Sequence, residues 1–220
     1  SLVLRMLLGA HSPIGVRQIA ERASSGDEHI ELTPGYVSKV VKELERRGYA
    51  ARREERIVLR HEDELLRDWL VSYRQRKQPA SRSYFVSAPN AESLMPGLAN
   101  SFDANYVDYV FTGHAGASLV DRYADFDVVD VYVRNPEEAD KALAGIGARR
   151  VERGGNVNVS LPYYRVSAFY DAQMPEGAIR VASDIQLYLD LYDFPLRGRE
   201  QAEHLYERRL RPMIERDDQL

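Results

Sequence analysis

Leu32-Thr33-Pro34-Gly35-Tyr36-Val37-Ser38-Lys39-Val40-Val41-Lys42-Glu43-Leu44-Glu45-Arg46-Arg47-Gly48-Tyr49 reads as one helix with its own start, its own stop and two unlike faces. Thr33 is a good N-cap, and Pro34 sits where a missing backbone donor costs nothing. Gly48 follows the last periodic residue, where a left-handed C-terminal closure is wanted, and Arg46 and Arg47 lie at the negative end of the helix dipole. Val37, Val40, Val41 and Leu44 recur at i, i+3, i+4 and i+7 and form an apolar stripe. Gly35, Lys39, Lys42 and Arg46 fall opposite that stripe, with Tyr36 and Ser38 beside them. Taken alone, this is equally the pattern of an amphipathic helix with a solvated basic face.

The neighbours decide between the two readings. Ser12 to Ala23 reads as a short helix with Val16, Ile19, Ala20 and Ala23 on one face, and Ser1 to His11 supplies an apolar helix before it. Tyr49 to Arg53 and Arg56 to Arg60 read as two extended segments joined by Glu54-Glu55. Helix, turn, helix with a polar outer face, then a basic β-hairpin is the order of a winged helix-turn-helix. The reading therefore places a DNA-binding domain over residues 1–75. Its candidate contacts are Arg17, Thr33, Gly35, Tyr36, Ser38, Lys39, Lys42 and Arg46, with Arg52, Arg53, Arg56 and Arg60 on the wing. Lysine reads guanine edges and serine or threonine reaches bases or phosphate, whereas wing arginines hold phosphates or probe the minor groove.

Charge is divided in the same place. The net charge of −4 over 220 residues conceals a first part, residues 1–82, with 16 Lys+Arg against 12 Asp+Glu, a net of +4. The remainder carries 14 against 22, a net of −8. A basic part joined to an acidic one predicts that only the first meets a polyanion, with moderate, salt-sensitive affinity that two copies on one site would strengthen. The absence of cysteine excludes disulfides and thiolate metal sites. No signal-peptide pattern is present, and no apolar run approaches the ~20 residues of a membrane span, so a cytoplasmic location is expected.

Glu62 to Arg74 reads as a further helix with Leu65, Leu66, Trp69, Leu70 and Tyr73 on one side, and Arg74 to Ser83 as a linker broken by Pro79. Residues 83–220 then alternate. Strands are expected at Tyr84–Ser87, Tyr106–Thr112, Phe126–Val133 and Val166–Tyr170. Helices are expected at Asn90–Ser101 (with Pro96 as a break), Gly113–Tyr123, Pro136–Ile146, Ala182–Tyr192 and Gly198 to about Arg211, where Pro212 should end or kink the last. Arg149–Arg153 and Asn156–Leu161 flank Gly154-Gly155 and read as a hairpin. The expected fold is α+β: the winged helix, then a C-terminal α/β domain with a mixed or mostly antiparallel sheet and closing helices.

One constellation offers a different chemistry. The strand ending at Gly113-His114 and the Asp125-Phe126-Asp127 pair give the outline of a nucleotidyltransferase site, in which carboxylates share Mg²⁺. Asp171 would be the third ligand. The usual Gly-Ser pair is absent, and Asp125 and Asp127 equally read as residues flanking a strand entry, with Asp130 alternating to solvent. The five histidines are scattered without metal-ligand spacing. No P-loop, G-x-S-x-G or G-x-G-x-x-G sequence appears. No cofactor or metal is assigned, and the chain reads as a non-enzyme, with the metal-dependent transferase as the alternative.

The closing block, with Gln186, Leu187, Asp190 and Leu191 followed by Arg197, Gly198 and Ala202, resembles the C-terminal region of AbiEi-like antitoxins of type IV toxin–antitoxin, or abortive-infection, systems. That resemblance implies an N-terminal winged helix that represses the system's own promoter at operator DNA. It also implies a nucleotidyltransferase toxin as the partner, a separate protein from this chain.

Overall fold

The structure, a computed structural model, describes residues 1–10, 12–26, 31–76, 80–175 and 179–215. His11, His29 and the Lys77 to Pro79 part of the expected linker lie outside the described residues. The chain forms two compact units: Ser1–Gln75 with the described part of Glu207–Leu220, and Arg76–Tyr206. The closing segment, expected to go with residues 83–220, thus belongs with the first unit.

The first unit runs α1 (Leu2–Leu8), β1 (Ile14–Gly15), α2 (Val16–Gly26), α3 (Pro34–Arg46), β2 (Ala50–Arg53), β3 (Arg56–Leu59) and α4 (Glu62–Arg74). Ile14 and Gly15, expected inside a helix, instead form a two-residue strand against β3, with Ile14 opposite Ile57. The helix starts at Val16 rather than Ser12, and the Gly15 N–H donates to Gln18 Oε1 at 3.0 Å. The resulting antiparallel sheet has the order β1-β3-β2. Its core joins Val3, Met6, Leu7, Ile19, Val37, Val41, Leu44, Ile57, Leu66 and Trp69. Arg5 is buried as well, with its guanidinium over the Trp69 ring.

The second unit runs β4 (Ser81–Phe85), α5 (Ala91–Ala104), β5 (Tyr109–Thr112), α6 (Gly113–Val120), β6 (Val129–Val133), α7 (Pro136–Gly145), β7 (Arg149–Val151), β8 (Val157–Ser160), α8 (Asp184–Leu191) and α9 (Gly198–Leu205). Its five-stranded sheet has the order β5-β6-β8-β4-β7, with β6 and β8 parallel and every other pairing antiparallel. The mixed α+β class is as expected. Leu98, Phe102, Leu143 and the inward valines of β6 and β8 fill one face.

Four local expectations fail for identifiable reasons. The hairpin around Gly154-Gly155 does not form, because β4 inserts between β7 and β8. A Cβ on Gly155 would lie 2.8 Å from the Tyr84 carbonyl oxygen, so only glycine lets the connection pass. Ser81 to Ser83, placed in the linker, open that same β4. Val166–Tyr170 is a pair of turns closed by bonds such as Ala168 N–H to the Tyr164 carbonyl, with no partner strand. Pro96 leaves α5 intact: it and Glu92, whose carbonyl loses a donor, lie on the exposed side, where water replaces the bond. The last helix passes through a π-helical turn at Tyr206–Leu210 into α10 (Arg211–Ile214), which packs on α4. This wide turn ends two residues before Pro212, which has no N–H to continue the α-helical ladder. Among the described residues, no helix is long and apolar enough to cross a membrane.

Candidate nucleic-acid interface

Thr33 caps α3 in extended conformation, its Oγ1 accepting the Tyr36 N–H at 3.2 Å, with Pro34 directly after it. At the other end Gly48 is left-handed at φ +82°. The Gly48 N–H donates to the Glu45 carbonyl at 3.0 Å, and the Tyr49 N–H to the Leu44 carbonyl at 2.9 Å. These two bonds close the helix in the Schellman manner. The Tyr49 hydroxyl then donates to Asp68 of α4 at 2.7 Å. A helix pinned at both ends presents its outer face at a defined angle. Val37, Val41 and Leu44 are buried beneath it, and Val40 is half-buried.

On the outer face Gly35, Lys39 and Lys42 are exposed, Tyr36 is 50 % exposed, and Ser38 is half-buried. Lys39 and Lys42 make no ion pair among the described residues. The Gly35 position is open, with no atom within 4 Å of where a Cβ would stand. Arg46, expected on the same line, is held back along the helix. Its Nε donates to Glu43 Oε2 at 2.8 Å and its Nη2 to Glu43 Oε1 at 2.7 Å, while Arg47 Nε shares Oε1 at 2.7 Å. Those hydrogen bonds from Arg46 and Arg47 pull the Glu43 carboxyl down to about 2.

The arginines of the β2–β3 hairpin and its surroundings divide similarly. Arg52 Nε donates to Glu45 Oε1 at 2.9 Å, and Arg56 Nη1 to the Pro13 carbonyl at 3.1 Å. Arg17, Arg53 and Arg60 are exposed. The hairpin turns in two residues, Glu54 and Glu55, both left-handed at φ 49° and 66°, between the opposed pair Arg53 and Arg56. That is the type I′ geometry that matches strand twist, adopted here without asparagine or glycine.

The carboxylates of the transferase alternative do not assemble. Asp125 is 93 % exposed and paired with Arg122 at 2.9 Å. Asp127 is exposed ahead of β6, and Asp171 is exposed in a left-handed turn. Among the described residues, no group of three His, Cys, Asp or Glu could hold a metal ion. Asp130, expected to alternate to solvent, instead lies beside the Gly113 turn and accepts Asn158 Nδ2 at 3.2 Å. Burial, helped by the nearby Asp190 charge and opposed by the Asn158 bond, pushes its carboxyl up to about 6.

The closing motif residues hold the second unit together. Asp190 accepts the Thr112 hydroxyl at 2.6 Å and Gln186 Nε2 at 2.7 Å, while Leu187, Leu191 and Ala202 are fully buried. Gln201, buried, accepts the Tyr123 and Ala124 N–H groups and donates to the Asp121 carbonyl, closing the loop after α6. Sequence reading missed Gln201 and the Glu43 clamp. Glu43 was legible in principle, since arginines three and four residues beyond a glutamate share its helix face.

A family model described as transcriptional regulator, AbiEi antitoxin, type IV TA system matches residues 56–211, and the chain belongs to that family. Its members are regulatory antitoxins. The matched span begins at the start of β3, so α1, α2 and α3 lie before it. No curated protein and no solved structure shows a significant match.

Proposed function

We propose that the first unit is a winged helix-turn-helix that binds operator DNA and represses transcription of its own toxin–antitoxin operon. The observation that carries this reading is the line of Gly35, Tyr36, Lys39 and Lys42 on a helix capped at both ends, with both lysines free of ion pairs among the described residues. The B-DNA major groove is ~12 Å wide and admits one α-helix. Glycine at position 35 lets the backbone approach the base edges, and Lys39 and Lys42 offer donors to guanine. Ser38 lies beside them, and the Thr33 hydroxyl keeps a proton to donate while it caps the helix. Arg17, Arg53 and Arg60 are exposed and offer cations to the phosphates beside the groove, whereas Arg46, Arg52 and Arg56 are tethered to Glu43, Glu45 and the Pro13 carbonyl.

The second unit serves the regulatory side of the system, whose toxin is a separate nucleotidyltransferase protein. Two copies on a repeated operator site add affinity that one modestly basic unit lacks. The protein works in the cytoplasm, where its DNA is. The test is an electrophoretic mobility-shift titration of the full chain, at 50 mM salt, against duplex DNA from upstream of its own gene and against random-sequence duplex. Tighter binding to the upstream duplex is expected, and no binding to either sinks the reading. A nucleotidyltransferase gene beside this one supports the partner assignment, and its absence removes it.

A further inference from the structure

We infer that Glu43 is a specificity-determining residue of α3, holding Arg46 and Arg47 away from phosphates so that binding depends on Lys39 and Lys42. This inference rests on the DNA-binding reading above. Glu43 has Lys39 one turn before it and Arg46 and Arg47 one turn after, and all three are at ion-pairing distance along a helix. Its carboxylate is taken by the two arginines: three charge-assisted bonds of 2.7–2.8 Å occupy both oxygens. The arginine Nε–Nη2 edge fits a carboxylate in parallel, which a lysine cannot do. Lys39 is left without an ion pair among the described residues. The segment Glu43–Arg47 at the end of the helix, with Glu43 and Glu45 against Arg46 and Arg47, is then neutral, while the segment before it, with Lys39 and Lys42, carries two positive charges.

That division separates the two components of DNA affinity. Contacts to phosphate are available on every sequence and dominate non-specific binding, whereas base-edge contacts are made only on the correct one. For Arg46 or Arg47 to reach a phosphate, it must leave its bonds to Glu43, whose carboxylate then stands less neutralised beside the DNA's own negative charge. Glu43 thus suppresses the sequence-independent component twice, once by occupying the cations and once by repulsion. The base-reading component is left intact.

The experiment measures binding of the full-length wild type, Glu43→Gln, and Glu43→Gln combined with Arg46→Ala and Arg47→Ala. Each is titrated with random-sequence duplex and with duplex from upstream of the gene, between 50 and 200 mM salt. Glutamine keeps the size and helical tendency of glutamate, and thermal unfolding confirms that each variant is folded. Glu43→Gln should bind random duplex more tightly and show a log K versus log [salt] slope steeper by ~1–2. With both arginines engaged, its affinity loss over that salt range exceeds the wild type's by a factor of ~10. Its preference for the upstream duplex should fall, and removing both arginines should restore the wild-type slope. Wild-type binding with an unchanged or shallower slope in Glu43→Gln overturns this inference alone. A steepening that survives removal of the arginines also overturns it. Failure of the wild type to bind either duplex at 50 mM overturns the DNA-binding reading together with it.

Discussion

The Thr112 hydroxyl donates to a carboxylate oxygen of Asp190 across 2.6 Å, tying the end of β5 to α8. The other Asp190 oxygen accepts Gln186 Nε2, and the Asp190 charge reaches Asp130 at the next strand. Polar groups from four elements (Thr112, Asp130, Asn158 and Asp190) thus meet beside the Gly113 turn, and they satisfy one another unequally.

Asp130 is the member held at a cost. Its carboxyl ionises at about 6 in the folded protein against an ordinary 3.8. Below pH 3.8 both folded and unfolded chains hold the proton, and the residue costs nothing. As the pH rises through 4 to 6 the unfolded chain ionises first, so the unfolded state gains and stability falls. Above pH 6 the full penalty is present, about 3 kcal/mol. Asp130→Asn cannot ionise, and its side-chain oxygen still accepts from Asn158. Urea unfolding should show it more stable than wild type at pH 7 by up to about 3 kcal/mol and equal near pH 3.5. A wild-type-like decline in stability between pH 4 and 7 in the variant would contradict this assignment.

Gly198 follows Arg197, whose own backbone is left-handed at φ 68°. A Cβ on Gly198 would stand 2.4 Å from the Leu191 carbonyl oxygen and 2.6 Å from Phe194 Cβ, atoms that cannot swing aside. Gly198→Ala should destabilise by ~1–3 kcal/mol through displacement of α9 against α8. Gly145→Ala is the control, because nothing lies within 4 Å of its Cβ site. It should be neutral or stabilising, as alanine is favoured over glycine in helices by ~1 kcal/mol. Chemical denaturation of the two variants in parallel decides the point.

Thr33→Ala removes the acceptor for the Tyr36 N–H at the start of α3. The expected loss is ~1 kcal/mol of stability, read as a lowered denaturation midpoint, with Thr33→Ser close to wild type. Hydrogen exchange should quicken first at Tyr36, where the cap bond is gone.

Lys39→Ala with Lys42→Ala should weaken binding to the upstream duplex by ~1–3 kcal/mol for each base edge no longer read. Binding to random duplex should change much less. Arg53→Ala with Arg60→Ala should instead flatten the salt dependence, by ~0.9 in slope for each phosphate no longer neutralised, on both duplexes alike. The two pairs of variants, titrated side by side, separate base reading from phosphate anchoring.

Legibility in the sequence followed the range of the forces involved. The ends of α3 were readable because Thr33, Pro34 and Gly48 act on backbone groups a few residues away. The start of α7 at Pro136, after Asn135, was readable for the same reason. The β7–β8 hairpin failed because a Gly-Gly pair signals a turn but not which strand comes to lie beside each arm. Asp125 and Asp127 looked like a ligand pair from spacing alone. Their exposure ahead of β6, and the partial burial of Asp130 three residues after Asp127, depend on where the strand begins. The family's closing motif was recognisable without its purpose being visible, since Thr112, the partner of Asp190, lies 78 residues away, and Gln201 went unread because its partner Asp121 lies 80 residues away.

By itself, then, the sequence determined the α+β class, the capped amphipathic helix with its apolar stripe, and the basic-to-acidic change in charge along the chain. Each of these is set by local backbone chemistry or by simple counting. Tertiary structure decided that β4 separates β7 from β8 and that the closing segment joins the first unit. It also decided that Asp130, rather than Asp125 or Asp127, is the carboxylate whose pKa is pushed up. On α3 it left Lys39 and Lys42 open and placed Arg46 and Arg47 in the grip of Glu43. The reason is physical: a side chain's charge is written in the sequence, but its desolvation and its choice of partner exist only once the chain has folded.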